Sequence, residues 1–218
     1  MPAKNVIKQY LKNGYYHIYN RGVEKRTIFE SDQDYKVFLR YLKEYLEPKD
    51  ETSLRKELAD VKIPWKEKNK ILKKLLLNNF YKQIDLLCFC LMPNHFHLLV
   101  KQKTERGIEG FMKSFGTRYV LYFNKKHERV GGLFQNIYKA VLVKTDEQLL
   151  HLSRYIHLNP FPQGPSLQRL EGYKYSSLPA YLGKWRAKWV KPNEILDYFS
   201  NNFRDSKIKF HQIFRRNR

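Results

Sequence analysis

Four segments of the chain carry the apolar pattern of β-strands, namely 15–20, 83–92, 94–101 and 134–144. The first, YYHIYN, is rich in aromatic and β-branched residues and ends at the turn-prone sequence Asn20-Arg21-Gly22. The second is a nearly continuous apolar run, as expected for a central strand. A turn at Pro93 separates it from the third, so these two strands are expected to pair as neighbours.

Three further segments have apolar residues at helical spacing, namely about 32–46, 105–126 and 146–158. Ser31 or Asp32 is expected to cap the first helix. Asn159-Pro160 is expected to end the last one, because proline disfavours a helical residue before it. Between the first helix and the second strand, residues 47–79 are rich in Lys and Glu. We interpret them as a charged helical insertion broken near Pro64.

The order strand, helix, strand, strand, helix, strand, helix predicts an α+β fold. We expect a ferredoxin-like antiparallel sheet with helices on one face. We also expect one domain over residues 1–218, which includes the insertion at about 47–79 and a C-terminal extension at about 184–218. That extension closes with a basic tail, KIKFHQIFRRNR.

Charge narrows the class of partner. The chain has 42 Lys and Arg against 21 Asp and Glu, a formal net charge of +21, which favours a polyanion and above all nucleic acid. A merely basic soluble protein and a membrane-surface role are alternatives, but no apolar run is long enough to span a bilayer. Cys88 and Cys90 are predicted as buried thiols of one strand. Because the N-terminus lacks the apolar core of a signal peptide, we expect a cytoplasmic protein.

The segment 92–100, MPNHFHLLV, contains two histidines that a strand would place on one face. His95 and His97 then project side by side and could hold a metal. Phe96 lies on the opposite, wholly apolar face and belongs in the core. Two ordinary surface histidines are the alternative interpretation, and the pattern alone does not exclude it.

The segment 151–160, HLSRYIHLNP, places three polar side chains that could take part in catalysis on one face of a helix. Residues four apart stack, so His151, Tyr155 and Asn159 line up while apolar residues form the buried stripe. This polar face offers an imidazole, a phenol and a carboxamide at successive turns. An amphipathic helix with a terminal Asn cap is the structural alternative.

Several motifs together resemble one family. They are YHIYNRG, LMPNHFHLLV, RYVLYFNKKH, GGLFQNIYKA, RYIHLNP and YKYSSLPAYLG, which occur in this order within residues 14–45 and 82–183. The chain resembles transposases with an HUH motif and a single catalytic tyrosine, and within them the REP-associated tyrosine transposases and their insertion-sequence relatives. Two departures are the sequence after Pro160 and the length of the 47–79 insertion.

The resemblance implies a role for each matching residue. His95 and His97 match the metal-binding histidines, Tyr155 matches the nucleophile, and Asn159 falls where relatives place a third ligand. His151 is an accessory acid-base candidate. The implied cofactor is Mg²⁺ or Mn²⁺, which suits an open site of nitrogen and oxygen ligands. Two rival tyrosines on an earlier helix, Tyr119 and Tyr122, are interpreted as packing residues.

The implied reaction is cleavage and strand transfer of DNA through a 5′-phosphotyrosine link, in transposition or in repeat processing. Single-stranded or hairpin DNA is the expected partner, and both monomers and homodimers are open. The basic residues expected to contact DNA are Arg21, Lys25, Arg26, Lys125, Lys126, Arg129, Arg215 and Arg216. Two alternatives are a non-catalytic regulator that binds DNA or RNA hairpins and a zinc-stabilised nucleic-acid module.

Overall fold

The computed structural model describes residues 10–161 and 167–199. It contains the strands β1 (Tyr15–Arg21), β2 (Ile84–Met92), β3 (His95–Gln102) and β4 (Lys139–Val143). The longer helices are α1 (Asp32–Leu46), α2 (Glu51–Ala59), α3 (Trp65–Leu76), α4 (Gly107–Lys126) and α5 (Asp146–Leu158). Three short helices follow, α6 (Leu167–Glu171), α7 (Leu178–Tyr181) and α8 (Asn193–Leu196).

The strands form one antiparallel sheet in the order β2-β3-β1-β4. This is the ferredoxin-like order predicted above, and the α+β prediction is confirmed. The predicted pairing of the second and third strands is also confirmed, since Met92 lies opposite His95 across a turn at Pro93 and Asn94. The last strand begins later than expected. Residues 134–138 lie outside β4, with a single bridge from Phe134 to Gly22.

Helices α1 and α4 cover one face of the sheet with an aromatic core. Alternating strand residues such as Ile18, Phe96 and Leu98 point into it and are almost fully buried. They meet Phe38 of α1 and Phe115 of α4. Ser31 caps α1 in a capping box with Asp34, which explains why the helix begins at Asp32.

Helix α5 covers part of the opposite face. Its buried residues Leu149 and Ile156 pack with Cys90 and Leu99 of the central strands, and α7 and α8 extend this second core. Both cysteines are buried free thiols, as predicted. On β4, Val141 of this face is 51% exposed, whereas Val143 packs partly buried against the second core.

The insertion is helical and broken at Pro64, which precedes the first turn of α3. Helices α2 and α3 contact each other and expose several large apolar residues, namely Val61, Trp65, Leu72 and Leu76. Within the described ranges, no helix is both long and apolar enough to cross a bilayer.

Candidate active site

Strand β3 presents the two predicted histidines to the face that α5 partly covers. Strand alternation sends Phe96 into the α1/α4 core and leaves His95 and His97 side by side, with ring centroids 5.0 Å apart. The turn before β3 is fixed by the backbone, because the carbonyl of Pro93 accepts from Ile28 N at 2.8 Å.

Each of these histidines uses its Nδ1 atom in a hydrogen bond. His95 Nδ1 lies 2.6 Å from the Oδ1 atom of Asn94, and His97 Nδ1 lies 2.8 Å from His17 Nε2. An amide oxygen only accepts, so His95 carries its proton on Nδ1 and its Nε2 atom presents a lone pair. The Nε2 atom of His97 is buried without a partner, and it presents a lone pair in the tautomer whose Nδ1 donates to His17.

Helix α5 brings the predicted tyrosine to the histidine pair. The buried stripe of α5 faces the sheet, so Tyr155 lies at the margin of the helix and is 53% exposed. Its ring centroid lies 5.8 Å from that of His97 and 6.4 Å from that of His17. One turn later, Asn159 ends the helix, and its Oδ1 atom lies 3.4 Å from His95 Nε2.

These atoms form an acceptor cluster that suits a metal ion. His95 Nε2 and Asn159 Oδ1 are both acceptors and face each other, so no hydrogen bond joins them while His95 is neutral. In the tautomer whose Nδ1 donates to His17, His97 Nε2 adds a third acceptor with no donor. A divalent cation would be a suitable ligand for such a group. In the described part of the chain, no group of three or more His, Cys, Asp or Glu could hold a metal, so the donors here would be two imidazoles and an amide oxygen.

Burial keeps the imidazoles neutral. Burial, reinforced by the neighbouring His17 and His95, lowers the pKa of His97 to about 3. The pKa of His95 is also lowered, chiefly by burial. Because a metal binds the unprotonated nitrogen, these shifts keep the lone pairs available at neutral pH.

His17 is a site residue that the sequence analysis did not identify. It lies on β1, on the same face as His97, and burial lowers its pKa to about 4. Its ring stacks on that of His97 at 5.0 Å, and Tyr19 stacks beside it at 4.7 Å. Alternation along YYHIYN places His17 and Tyr19 on one face of β1. This pattern would have identified His17 as a site residue only if the pairing of β1 with β3 had been known.

A second unrecognised residue anchors α5. His157 is buried, and its Nε2 atom lies 2.9 Å from the hydroxyl of Ser177. The same hydroxyl accepts from Phe89 N at 2.8 Å, so α5 is tied to β2 through this bond. The position of Tyr155 over the sheet therefore depends on the segment that follows α6.

Comparison with known proteins identifies the family and a similar fold. The sequence profile described as "Transposase IS200 like" matches residues 10–159. The chain belongs to this family. No curated protein sequence matches this IS200-like transposase significantly. Among solved structures, a REP-associated tyrosine transposase bound to a REP hairpin is similar in fold, with a TM-score of 0.53 and 10% sequence identity, covering 87% of this chain and 92% of that chain.

The predicted DNA-contacting residues of this IS200-like transposase fall into separate regions. Arg21 is exposed on the histidine face, directly opposite His95. Lys25 is exposed, and Arg26 half-buried, in the segment that follows β1. Lys125 is exposed and Arg129 half-buried near the end of α4, in the helical layer on the other face. Arg215 and Arg216 lie outside the described residues.

Lys126 does not belong with the surface cations of this transposase. Its ammonium lies 2.7 Å from the buried carboxylate of Asp34 and 2.6 Å from the hydroxyl of Ser31. This internal ion pair occupies the charge that was expected to meet DNA. Of the rival tyrosines, Tyr119 is fully buried and donates to Ile28 O, and Tyr122 donates to Asp34. His151 is exposed, one turn before Tyr155.

Proposed function

We propose that this IS200-like transposase cleaves and rejoins single-stranded DNA, with Tyr155 as nucleophile and a divalent metal held by His95, His97 and Asn159. The observation that carries the proposal is the convergence of a half-exposed phenol with acceptor atoms that lack a donor. A bound Mg²⁺ or Mn²⁺ would supply charge neutralisation and orientation of the scissile phosphate.

The proposed reaction is a transesterification at the scissile phosphorus. The Tyr155 oxygen attacks the phosphorus in line, and the bond from phosphorus to the 3′-oxygen breaks. The phenol gives up one proton and the departing 3′-oxygen takes one up, which leaves a 5′-phosphotyrosine and a free 3′-hydroxyl. A second 3′-hydroxyl reverses the same chemistry and joins new ends, because the link retains the energy of the broken bond.

Hairpin DNA with a single-stranded flank is the proposed substrate. Its support is the net charge of +21 and the exposed Arg21 beside the histidines. The structural relative described above is bound to a REP hairpin. Tyr155 is 53% exposed, so a strand of DNA can reach it from solvent.

The test is a covalent adduct between protein and DNA. Labelled hairpin oligonucleotides incubated with Mn²⁺ should give a slower band on a denaturing gel with the wild-type protein. Tyr155→Phe should give none, since only the nucleophilic oxygen is removed. Tyr198→Phe is a matched control, because Tyr198 is similarly exposed at 44% but contacts Asp146 at the other end of α5. If neither wild type nor Tyr155→Phe forms an adduct, the mechanism is wrong and a non-catalytic hairpin-binding regulator remains; equal adducts from both would assign the nucleophile to another residue.

A further inference from the structure

Tyr19 is a second tyrosine on the histidine face of the sheet, and it belongs to neither hydrophobic core of the described chain. It lies on β1, directly opposite His97 of β3 and Lys139 of β4. The other tyrosines of this strand have structural roles, because Tyr16 is buried in the first core and Tyr15 packs against the second. Among the described residues, the hydroxyl of Tyr19 has no hydrogen-bond partner. Neither core packing nor hydrogen bonding therefore accounts for this side chain.

The ring of Tyr19 extends the flat surface formed by the imidazoles of the candidate metal site. Its centroid lies 4.7 Å from that of His17 and 5.9 Å from that of His97, with interplanar angles of 33° and 29°. Tyr155 approaches the same two imidazoles from α5. Tyr19 nevertheless stays partly exposed, on the side of the site that leads to β4. Aromatic surfaces of this kind stack on unpaired nucleobases.

Two exposed cations flank this ring. The ammonium of Lys139 lies over Tyr19, 5.6 Å from the ring centroid, and Arg21 follows two residues later on the same face. Within the described part of the chain, neither cation forms an ion pair with a carboxylate. Lys101, on the same face, is by contrast paired with Glu194 at 2.9 Å. Cations without a carboxylate partner beside an aromatic ring are the components of a site for single-stranded nucleic acid.

We propose that Tyr19 and Lys139 form a subsite for the nucleotide that adjoins the scissile phosphate. The inference rests on the proposed function, because its ligand is the DNA strand that Tyr155 cleaves. The base stacks on the ring of Tyr19. Lys139 has a flexible stem, so its ammonium moves from the ring to the neighbouring phosphate when the base enters. The subsite thereby sets which phosphate of the strand lies beside Tyr155.

Three substitutions separate the parts of this subsite. Tyr19→Leu removes the aromatic ring, whereas Tyr19→Phe is the matched control that keeps the ring and removes only the hydroxyl. Lys139→Gln removes the charge and leaves the ring in place. Because Tyr19 lies outside both cores and Lys139 is exposed, all three proteins should fold, which circular dichroism checks.

The first measurement is photocrosslinking without divalent metal, so that the strand stays intact. The probe is a hairpin oligonucleotide with a single-stranded flank, in which 5-iododeoxyuridine replaces one nucleotide at a time. Under ultraviolet light, iodouracil crosslinks to an aromatic side chain on which it stacks, and mass spectrometry identifies that residue. One position of the flank should crosslink to Tyr19 in wild type. If no position crosslinks to Tyr19, the inference is wrong.

The second measurement is the affinity for the same oligonucleotide with and without the base at the crosslinked position. Fluorescence anisotropy in metal-free buffer should show that wild type and Tyr19→Phe lose about 10-fold in affinity when this base is absent, a change typical of one stacked base. Tyr19→Leu should bind both probes equally, and Lys139→Gln should weaken binding of both. An equal loss in wild type and Tyr19→Leu, or in neither, would overturn the inference.

The outcomes separate this subsite from the proposed catalytic function, because both measurements are made without metal. With Mn²⁺, the cleaved phosphate should adjoin the crosslinked nucleotide, and cleavage at a distant phosphate would contradict the subsite alone. A base contact that depends on Tyr19, together with no covalent adduct from wild type, would count against the catalytic proposal alone. Tyr19→Phe should still form the adduct, since Tyr19 supplies a ring for stacking and not a nucleophile.

Discussion

Two buried polar clusters of this molecule differ in how completely their hydrogen bonds are made. In the helical layer, the carboxylate of Asp34 has no exposed surface and accepts from Ser31 N at 3.0 Å and Lys126 at 2.7 Å. Tyr122 donates to it as well. On the other side of the sheet, His97 Nε2 and Asn159 Nδ2 are buried without partners.

The difference supports the proposal that the Asp34 cluster serves the fold and the histidine cluster serves the chemistry. A buried polar group without a partner costs about 1–3 kcal/mol, so a fold tolerates it where a ligand completes the bonds. The Asp34 cluster is already complete and joins α1 to α4. The histidine cluster is incomplete on the side that faces Tyr155.

The largest expected effect comes from removing a lone pair of the incomplete cluster. His97→Ala should reduce Mn²⁺-dependent adduct formation by about 1,000-fold, since a metal supplies several kcal/mol of transition-state stabilisation. The melting temperature in the absence of metal should also fall, because the substitution removes a buried ring and its contact with His17, so adduct formation is compared per folded molecule. Single-turnover gel assays and calorimetry measure the two quantities. A large fall in melting temperature with normal activity would show that His97 serves the fold and not the chemistry.

Removing the carboxylate of the complete cluster should have the opposite signature. Asp34→Asn should lower the free energy of unfolding by about 3 kcal/mol, because Lys126 is left beside a neutral group. Adduct formation per folded molecule should be unchanged. Urea denaturation followed by circular dichroism measures the loss.

The difference in stability between wild type and Asp34→Asn should depend on pH. Burial raises the pKa of Asp34, but hydrogen bonds from Lys126, Tyr122 and His127 outweigh it and leave the pKa below its ordinary value. A lowered folded-state pKa contributes stability above the unfolded pKa of about 3.9, and this stability is lost as pH falls through the folded value. The stability difference between wild type and Asp34→Asn should therefore shrink below about pH 4. A constant difference would contradict the assignment.

A smaller effect is expected from the bond that orients His97. His17→Phe keeps a ring of similar shape but removes the hydrogen bond between His17 Nε2 and His97 Nδ1. Loss of such an outer contact typically weakens metal binding by about 10- to 100-fold. Isothermal titration with Mn²⁺ measures the affinity directly. His17→Gln retains an acceptor and should bind more tightly than His17→Phe; equal affinities in wild type and both variants would remove His17 from the site.

The smallest effect should come from Arg21, which is exposed opposite His95. If its guanidinium meets a phosphate, Arg21→Gln should weaken binding of single-stranded DNA at low salt. The slope of log affinity against log salt concentration should fall by about 0.7, the value for one phosphate contact on a single strand. Affinity titrations at several salt concentrations measure this slope, and an unchanged slope would show that Arg21 makes no such contact.

Local sequence predicted most of the fold but not the neighbours of each element. The alternation in MPNHFHLLV and the spacing in HLSRYIHLNP correctly gave β3 and α5, because both patterns lie within one element. His17 was missed, since alternation along β1 does not reveal that β3 lies beside it. The ion pair of Lys126 was not foreseen for the same reason, because its partner Asp34 lies 92 residues away; the contact of Lys126 with DNA stays a prediction.

The start of β4 was predicted too early for a different reason. Phe134 and Tyr138 have the composition of a strand, but they pack partly buried against the α1/α4 core from a loop that precedes the paired residues. Packing from a loop and packing within a sheet select the same residue types, so composition cannot distinguish them. The prediction of Asn159 as a metal ligand came from the family resemblance and not from a local pattern. In the structure its Oδ1 atom lies 3.4 Å from His95 Nε2.

The turn before β3 should tolerate neither insertions nor deletions. Pro93 and Asn94 are held by backbone bonds from Ile28, Phe29 and Gly22. One residue gained or lost within this hairpin would shift the pairing and exchange Phe96 with an imidazole, exposing an aromatic ring and burying a histidine. Insertions and deletions should therefore be rejected here, whereas the loop between α1 and β2 already carries two additional helices without disturbing the sheet.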